Sequence, residues 1–247
     1  MIDKLDLVSI ISKYHLNNIV NRVRWNIEDG NLNIRFNSPT RDLFGLVEYK
    51  GFPLEDSTIA FADTSQLVKL IAITNGYINL EYVKNHKLIT KLILADNQYT
   101  LDYSLADLGL VPEAMKLADD FVYDVTAEID NESIVAIVKA KQALSDSNTV
   151  VVKNTPNDDG EDRLEMCFAG NAAFSNKVSF YLSDINFKTP EFEEHYNSDI
   201  IKEVMYCNKD MVSGRMSLCF RENAEHMKLE FENDKLKTTY ILVAKEK

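Results

Sequence analysis

Cysteine is scarce in this 247-residue chain. Cys167, Cys207 and Cys219 are odd in number and form no Cys-x-x-Cys pair. That argues against a disulfide framework or a zinc site and for reduced thiols in or near a core. Long apolar runs are missing too, and none approaches the roughly 20 residues that a membrane span needs. The opening MIDKLDLVSII carries charges inside its apolar run. It lacks the basic start and small-residue cleavage site of a signal peptide, so the expectation is a mature, cytosolic N-terminus and no membrane partner. Catalytic signatures are absent as well. His15, His86, His195 and His226 are scattered, with no HExxH, no GxSxG and no Walker GxxxxGKS or GxxxxGKT. An enzyme is disfavoured, and neither a metal nor a cofactor is expected. The acidic turn TPNDDGED, residues 155–162, lacks the spaced order and closing glutamate of a calcium loop and reads as solvated.

Positive charge is in short supply. Lysine and arginine number 27 against 39 aspartates and glutamates, a formal net charge of −12. A polyanion is repelled at long range by such a chain, so a whole surface devoted to nucleic acid is excluded. The 45% hydrophobic and 27% charged residues are ordinary for a globular protein. The length allows one large domain or two, each burying its own core.

Hydrophobic spacing assigns a helix to residues 3–15, from Leu7, Val8, Ile10, Ile11 and Tyr14. Strand-like runs follow at 19–27, 32–36 and 43–49, separated by the turn signals EDGN and NSPT, with a hairpin around EDGN. DTSQLVKLIAIT reads as a second helix capped by Asp63 or Thr64, and then as a meander come YINLEYV, LITKLILA and QYTLDYSLA. DLGLVPEAMKLADD, residues 107–120, holds a glycine and a proline, fits neither neighbour and reads as a connector. The order then repeats. A strand VYDVTAEI precedes a helix at 132–145, strands NTVVVKN, DRLEMCFAG and KVSFYLSDI, a helix NSDIIKEVMYCN, and three closing strands.

The first and third helices match at an offset of 127, the second and fourth at 133, and Tyr103 and Leu105 fall on Tyr240 and Leu242 at 137. Any one match between apolar helices is weak; the repeated order of elements is the stronger sign of an internal duplication.

Projected at roughly 100° per residue, each helix places a lysine on a pole of mostly small residues. Lys13 lies with Ser9 and Ser12, Lys69 with Ser65 and Ala72, Lys139 with Ala136, Ala140 and Ala143, and Lys202 with Ser198 and Met205. Lys141 falls nearer the apolar face, from which its stem can snorkel to the helix end. With Lys4 and the flanking Lys209, these four segments hold seven lysines against Asp6, Asp199 and Glu203, leaving a net −16 for the rest of the chain.

The length, the repeated order, the mid-chain linker and the four helices together resemble a DNA sliding clamp, over essentially the whole chain. The resemblance is to the two-domain kind of T4-like phages and of eukaryotic and archaeal proliferating cell nuclear antigen (PCNA). MIDKLDLVSIISKYH resembles the phage clamp's opening helix, and LKTTYILVAKEK the final strand and tail of PCNA-like clamps. The resemblance implies an α/β (α+β) fold of two similar clamp domains, 1–107 and 125–247, joined by a connector at 108–124. Helices line the inner face and antiparallel sheets lie outside. It implies a homotrimeric ring around double-stranded DNA, non-specifically encircled, that acts as a processivity factor with a DNA polymerase and a clamp loader as partners. The expected place is the cytoplasm, the host's if the chain is phage-encoded. The lysines Lys13, Lys69, Lys139, Lys141, Lys202 and Lys209 would face DNA. Leu108, Leu110 and Val111 of the connector, with Tyr240 and Leu242 of the last strand, would bind partner tails; sealing the two domains together is the other reading of the connector leucines. From another class, a duplicated β-rich structural or adaptor protein of a phage particle also fits the repeat.

Overall fold

The computed structural model describes residues 1–85, 88–116, 121–156, 160, 162–170, 176–182, 185–187, 192–211, 213–220 and 225–245. Two compact units emerge. The first comprises Met1–Pro39, Phe44–Lys116 and Asp234–Thr238; the second, Thr40–Leu43, Leu117–Asn233 and Thr239–Lys247. Much of the acidic turn expected at 155–162 and the end of the expected connector, residues 117–120, lie outside the described residues.

The first unit runs β1 (Ile2–Asp3), α1 (Lys4–His15), β2 (Val23–Glu28), β3 (Asn31–Asn37), β4 (Leu43–Lys50), β5 (Ser57–Phe61), α2 (Thr64–Ala72), β6 (Tyr77–Asn85), β7 (Leu88–Ala95) and β8 (Thr100–Ser104), then a 3-10 turn at Leu108–Leu110. Its antiparallel strand runs are β1-β6-β7-β8 and β4-β3-β2-β5. The second unit runs β9 (Val125–Ile129), α3 (Asn131–Ala143), β10 (Thr149–Pro156), β11 (Asp162–Ala169), β12 (Lys177–Leu182), β13 (Ile185–Phe187), β14 (Glu193–Asn197), α4 (Ser198–Cys207), β15 (Ser213–Cys219), β16 (His226–Glu232) and β17 (Leu236–Val243). Its runs are β9-β15-β16-β17, with β13 added beside β9, and β12-β11-β10-β14. Element for element the two orders are the same, which is the duplication expected from the sequence, written in backbone pairing.

Local chemistry explains the elements. Every helix starts at a short acidic or amide side chain that accepts a free backbone N–H: Asp3 from Leu5 at 2.7 Å, Asp63 from Gln66 at 3.1 Å, Asp130 from Ser133 at 2.7 Å, and Asn197 from Asp199 at 3.1 Å. The expected hairpin forms between β2 and β3, where Glu28 pairs with Asn31 and Asp29 and Gly30 take φ of 51° and 71°. That is the left-handed pair a two-residue turn demands. The strand expected at 19–27 begins only at Val23. Leu16, Asn17 and Asn18 all have positive φ and turn the chain out of α1 before it can extend. The short strands β1, β5, β13 and β14 carry too few residues for a period to show.

Alternation builds the cores. Val23, Trp25 and Ile27 point inward on β2, and Leu32, Ile34 and Phe36 on β3. Trp25 packs against Phe61 at 4.5 Å and edge-on against Phe52 at 5.6 Å between ring centres. In the second unit Ile137, Ile201, Val204, Phe168 and Phe231 are fully buried. Each such side chain contributes about 1.5–3 kcal/mol relative to exposure.

Gly45 lies directly opposite Phe36 across the β3–β4 ladder, and a Cβ there would sit 2.1 Å from Phe36 Cζ. The ring covers the glycine and cannot retreat from a filled core. Gly45→Ala is therefore expected to lower unfolding free energy by about 1–3 kcal/mol, read from the urea midpoint. An unchanged midpoint would show that the ring is free to move.

Candidate nucleic-acid interface

The helices of each unit pair with one another, α1 with α2 and α3 with α4. Polar contacts fix the first pair. His15 Nε2 lies 3.2 Å from Ser65 Oγ at the start of α2, and Asn21 Oδ1 accepts from the Ser65 N–H at 2.9 Å. Burial pulls the His15 imidazole below its usual pKa, so it is neutral at pH 7 and adds no cation to this face. Lys4 Nζ donates to the carbonyls of Ala72, at 2.9 Å, and Thr74, capping the C-terminal end of α2.

What remains outward is specific. On α1 the exposed side chains include Leu5 and Val8; on α2 Gln66, Val68, Lys69, Ala72 and Ile73; on α3 Glu132, Val135, Lys139, Gln142 and Ala143; on α4 Asp199, Tyr206 and Lys209. Lys69, Lys139 and Lys209 thus stand where expected, on outward faces among small and apolar side chains. Lys202 is half-buried and bonds Glu203 at 2.6 Å, yet remains at the surface.

Two lysines do not belong to this set. Lys13 is 0% exposed. Its helical angle is only about 60° from Ile10, so it flanks the buried stripe rather than opposing it. Lys141 is also buried, at 2%. Its Nζ donates to Ser145 O at 2.8 Å and meets Asp199 Oδ1 at 3.1 Å, tying α3 to the first turn of α4. The sequence placed it near the apolar face, and there it spends its charge within the protein.

Sequence reasoning missed Tyr206. It is exposed, and Lys209 Nζ sits 4.1 Å from its ring centre, a cation–π contact on the outward face of α4. The i, i+3 spacing of the two was the available signal.

The expected partner pocket divides in the same way. Leu108 and Leu110 are 39% and 70% exposed. Val111 is buried, and Arg24 holds the turn by donating to the Leu108 and Val111 carbonyls, both at 2.6 Å. Tyr240 and Leu242 are buried too. They share one face of β17, and the Tyr240 hydroxyl is met by the Asn208 side-chain amide at 3.0 Å from the end of α4. An apolar run in a closing strand is core on its inward face, and the sequence alone did not separate the two faces.

Among the described residues no three histidine, cysteine, aspartate or glutamate side chains gather into a metal-binding group, and no helix is long and apolar enough to cross a membrane. The helix faces offer dispersed single cations, which suit weak contact with a regularly charged surface.

No family model matches the chain, and no curated protein does. Solved structures do match. PCNA from Entamoeba histolytica aligns with a TM-score of 0.76 and 13% identity, over 99% of this chain and 96% of that one. PCNA from Thermococcus kodakaraensis gives 0.73 and 14%, over 98% and 97%. PCNA of A. fulgidus, in a structure with the C-terminal region of FEN-1 bound, gives 0.73 and 15%, over 100% and 97%. At this identity what is shared is the architecture, and across nearly its whole length the chain has the fold of the PCNA sliding clamps.

Proposed function

We propose that this chain is a sliding clamp, a non-enzymatic processivity factor that closes as a homotrimer around duplex DNA and tethers a DNA polymerase. The observation that carries the reading is the pairing of a whole-length PCNA fold with outward lysines on helices of both units, in a chain of net charge −12. Phosphate contacts from Lys69, Lys139, Lys202 and Lys209 would carry no sequence information, and a few weak ones let a ring slide. The acidic remainder of the chain would keep DNA off every other surface.

Two clamp units per chain imply three chains for a six-unit ring, by analogy with the PCNA fold. β8 and β12 each end a strand run and leave one edge open. Such edges invite pairing with another chain, and joining β8 of one copy to β12 of the next would close the ring. The segment 108–124 would serve as connector, and the exposed Leu108 and Leu110 would receive a polymerase tail, with a clamp loader opening the ring. The place of action would be the cytoplasm in which the DNA is replicated, the host's if the chain is phage-encoded.

Two measurements test this reading. The salt dependence of duplex binding is expected to weaken by about 0.9 in log–log slope for each of Lys69, Lys139, Lys202 and Lys209 changed to alanine. Lys141→Ala is expected to leave that slope unchanged while costing about 1–3 kcal/mol of stability, because it unties α3 from α4. A quadruple alanine variant with an unaltered slope contradicts the assignment of the helices to DNA. Separately, Leu110→Ser is expected to weaken binding of a polymerase C-terminal peptide at least fivefold with an unchanged unfolding midpoint. Undiminished binding places the tail elsewhere.

A further inference from the structure

Beside β5 in the first unit lies a cleft of about 640 Å³, lined by Thr58, Ile89, Thr90, Leu105, Leu108 and their neighbours. β5 pairs with β2 along one edge, from Ser57 to Phe61. Along its other edge the only backbone bond among the described residues is at Ala60, whose carbonyl accepts from Ala106 N–H at 2.9 Å. Strand period two follows from that bond. If Ala60 directs its backbone groups away from β2, so does Thr58, and the Thr58 N–H and C=O therefore face the cleft. Thr58 is exposed.

The cleft supplies what an added strand needs. Ile89, Leu105 and the 39%-exposed Leu108 offer apolar contact for alternate side chains. Its charge is uneven. Lys84 is paired with Glu55 at 3.0 Å, and Arg24 is spent on the carbonyls of Leu108 and Val111. Asp56, just before β5, and Asp107, just after Ala106, have no ion-pair partner among the described residues. Each accepts only a backbone N–H, from Asp29 at 3.0 Å and from Gly109 at 2.7 Å. The second unit shows what suits the corresponding place. There the edge strand is β14, and the chain's own Lys245 lies along it: its N–H donates to His195 O at 2.7 Å and its Nζ to Asn148 O at 2.7 Å. The first unit has the small Ala106 at that position.

We propose that the open edge of β5 and its cleft form a docking site for an extended basic peptide, which adds to the sheet as a further strand beyond Thr58. The site is separate from the outward helix faces and stands whether or not the chain closes as a ring.

The probe is a dye-labelled nine-residue peptide alternating valine and lysine, titrated against the full chain by fluorescence anisotropy at low salt, with a valine–glutamate peptide as control. Hydrogen exchange at the Thr58 amide gives the second readout. Thr58→Pro removes the one N–H that serves the open edge, a place where proline is tolerated. Leu108→Ser removes a surface contact, and it decides the matter together with wild-type exchange if the proline variant fails to fold. Expected are saturable binding of the lysine peptide, at least tenfold weaker in Thr58→Pro and at least threefold weaker in Leu108→Ser, with slowed exchange at Thr58. Equal binding by wild type and both variants, equal binding of the glutamate peptide, or unchanged exchange at Thr58 overturns the proposal. Protection of Thr58 that grows with protein concentration in the absence of peptide makes a second copy of the chain the occupant and overturns it equally.

Discussion

Backbone pairing in one strand order, laid down twice, is the constraint on which the rest depends. Once β2, β3 and β4 are in register, every second side chain is committed to a core, and α1 and α2 have only one face left to turn outward. The same holds for β10, β11 and β12 with α3 and α4. Registry in a half-buried sheet is unforgiving, because a slip of one residue exchanges core for surface along a whole strand. That is why Gly45 can lie under Phe36 and why Tyr240 and Leu242 face inward although their sequence is simply apolar.

Charge is then distributed on a frame already fixed. Cations inside the protein do local work: Lys4 caps α2, Lys141 joins α3 to α4, and Lys13 is enclosed. Cations outside are few and stand apart on the outward helix faces. For an acidic chain this is an economical way to present a weakly attractive surface without becoming a general polyanion binder.

The duplication, the four helices and their capping residues were legible in the sequence, because helical periods and Asp or Asn caps are local signals. The EDGN hairpin was legible for the same reason. β1, β5, β13 and β14 were not, since two to five residues cannot show alternation. The lysine faces were legible only in part. A helical projection separates opposite poles well and flanks poorly, so Lys69 and Lys139 were placed correctly while Lys13, about 60° from Ile10, was not. Leu108 and Val111 lie three residues apart in one turn, and only the carbonyl contacts of Arg24 reveal that one stays at the surface while the other is drawn in.

The central claim is that three copies, each with two clamp units, close a ring. Native mass spectrometry across a dilution series tests it most directly. The account predicts a species of three 28.2 kDa chains at micromolar concentration and above, lost to monomer on dilution or when prolines are placed on the open edge of β8. A chain that stays monomeric at every concentration, or that settles as a stable dimer, contradicts it.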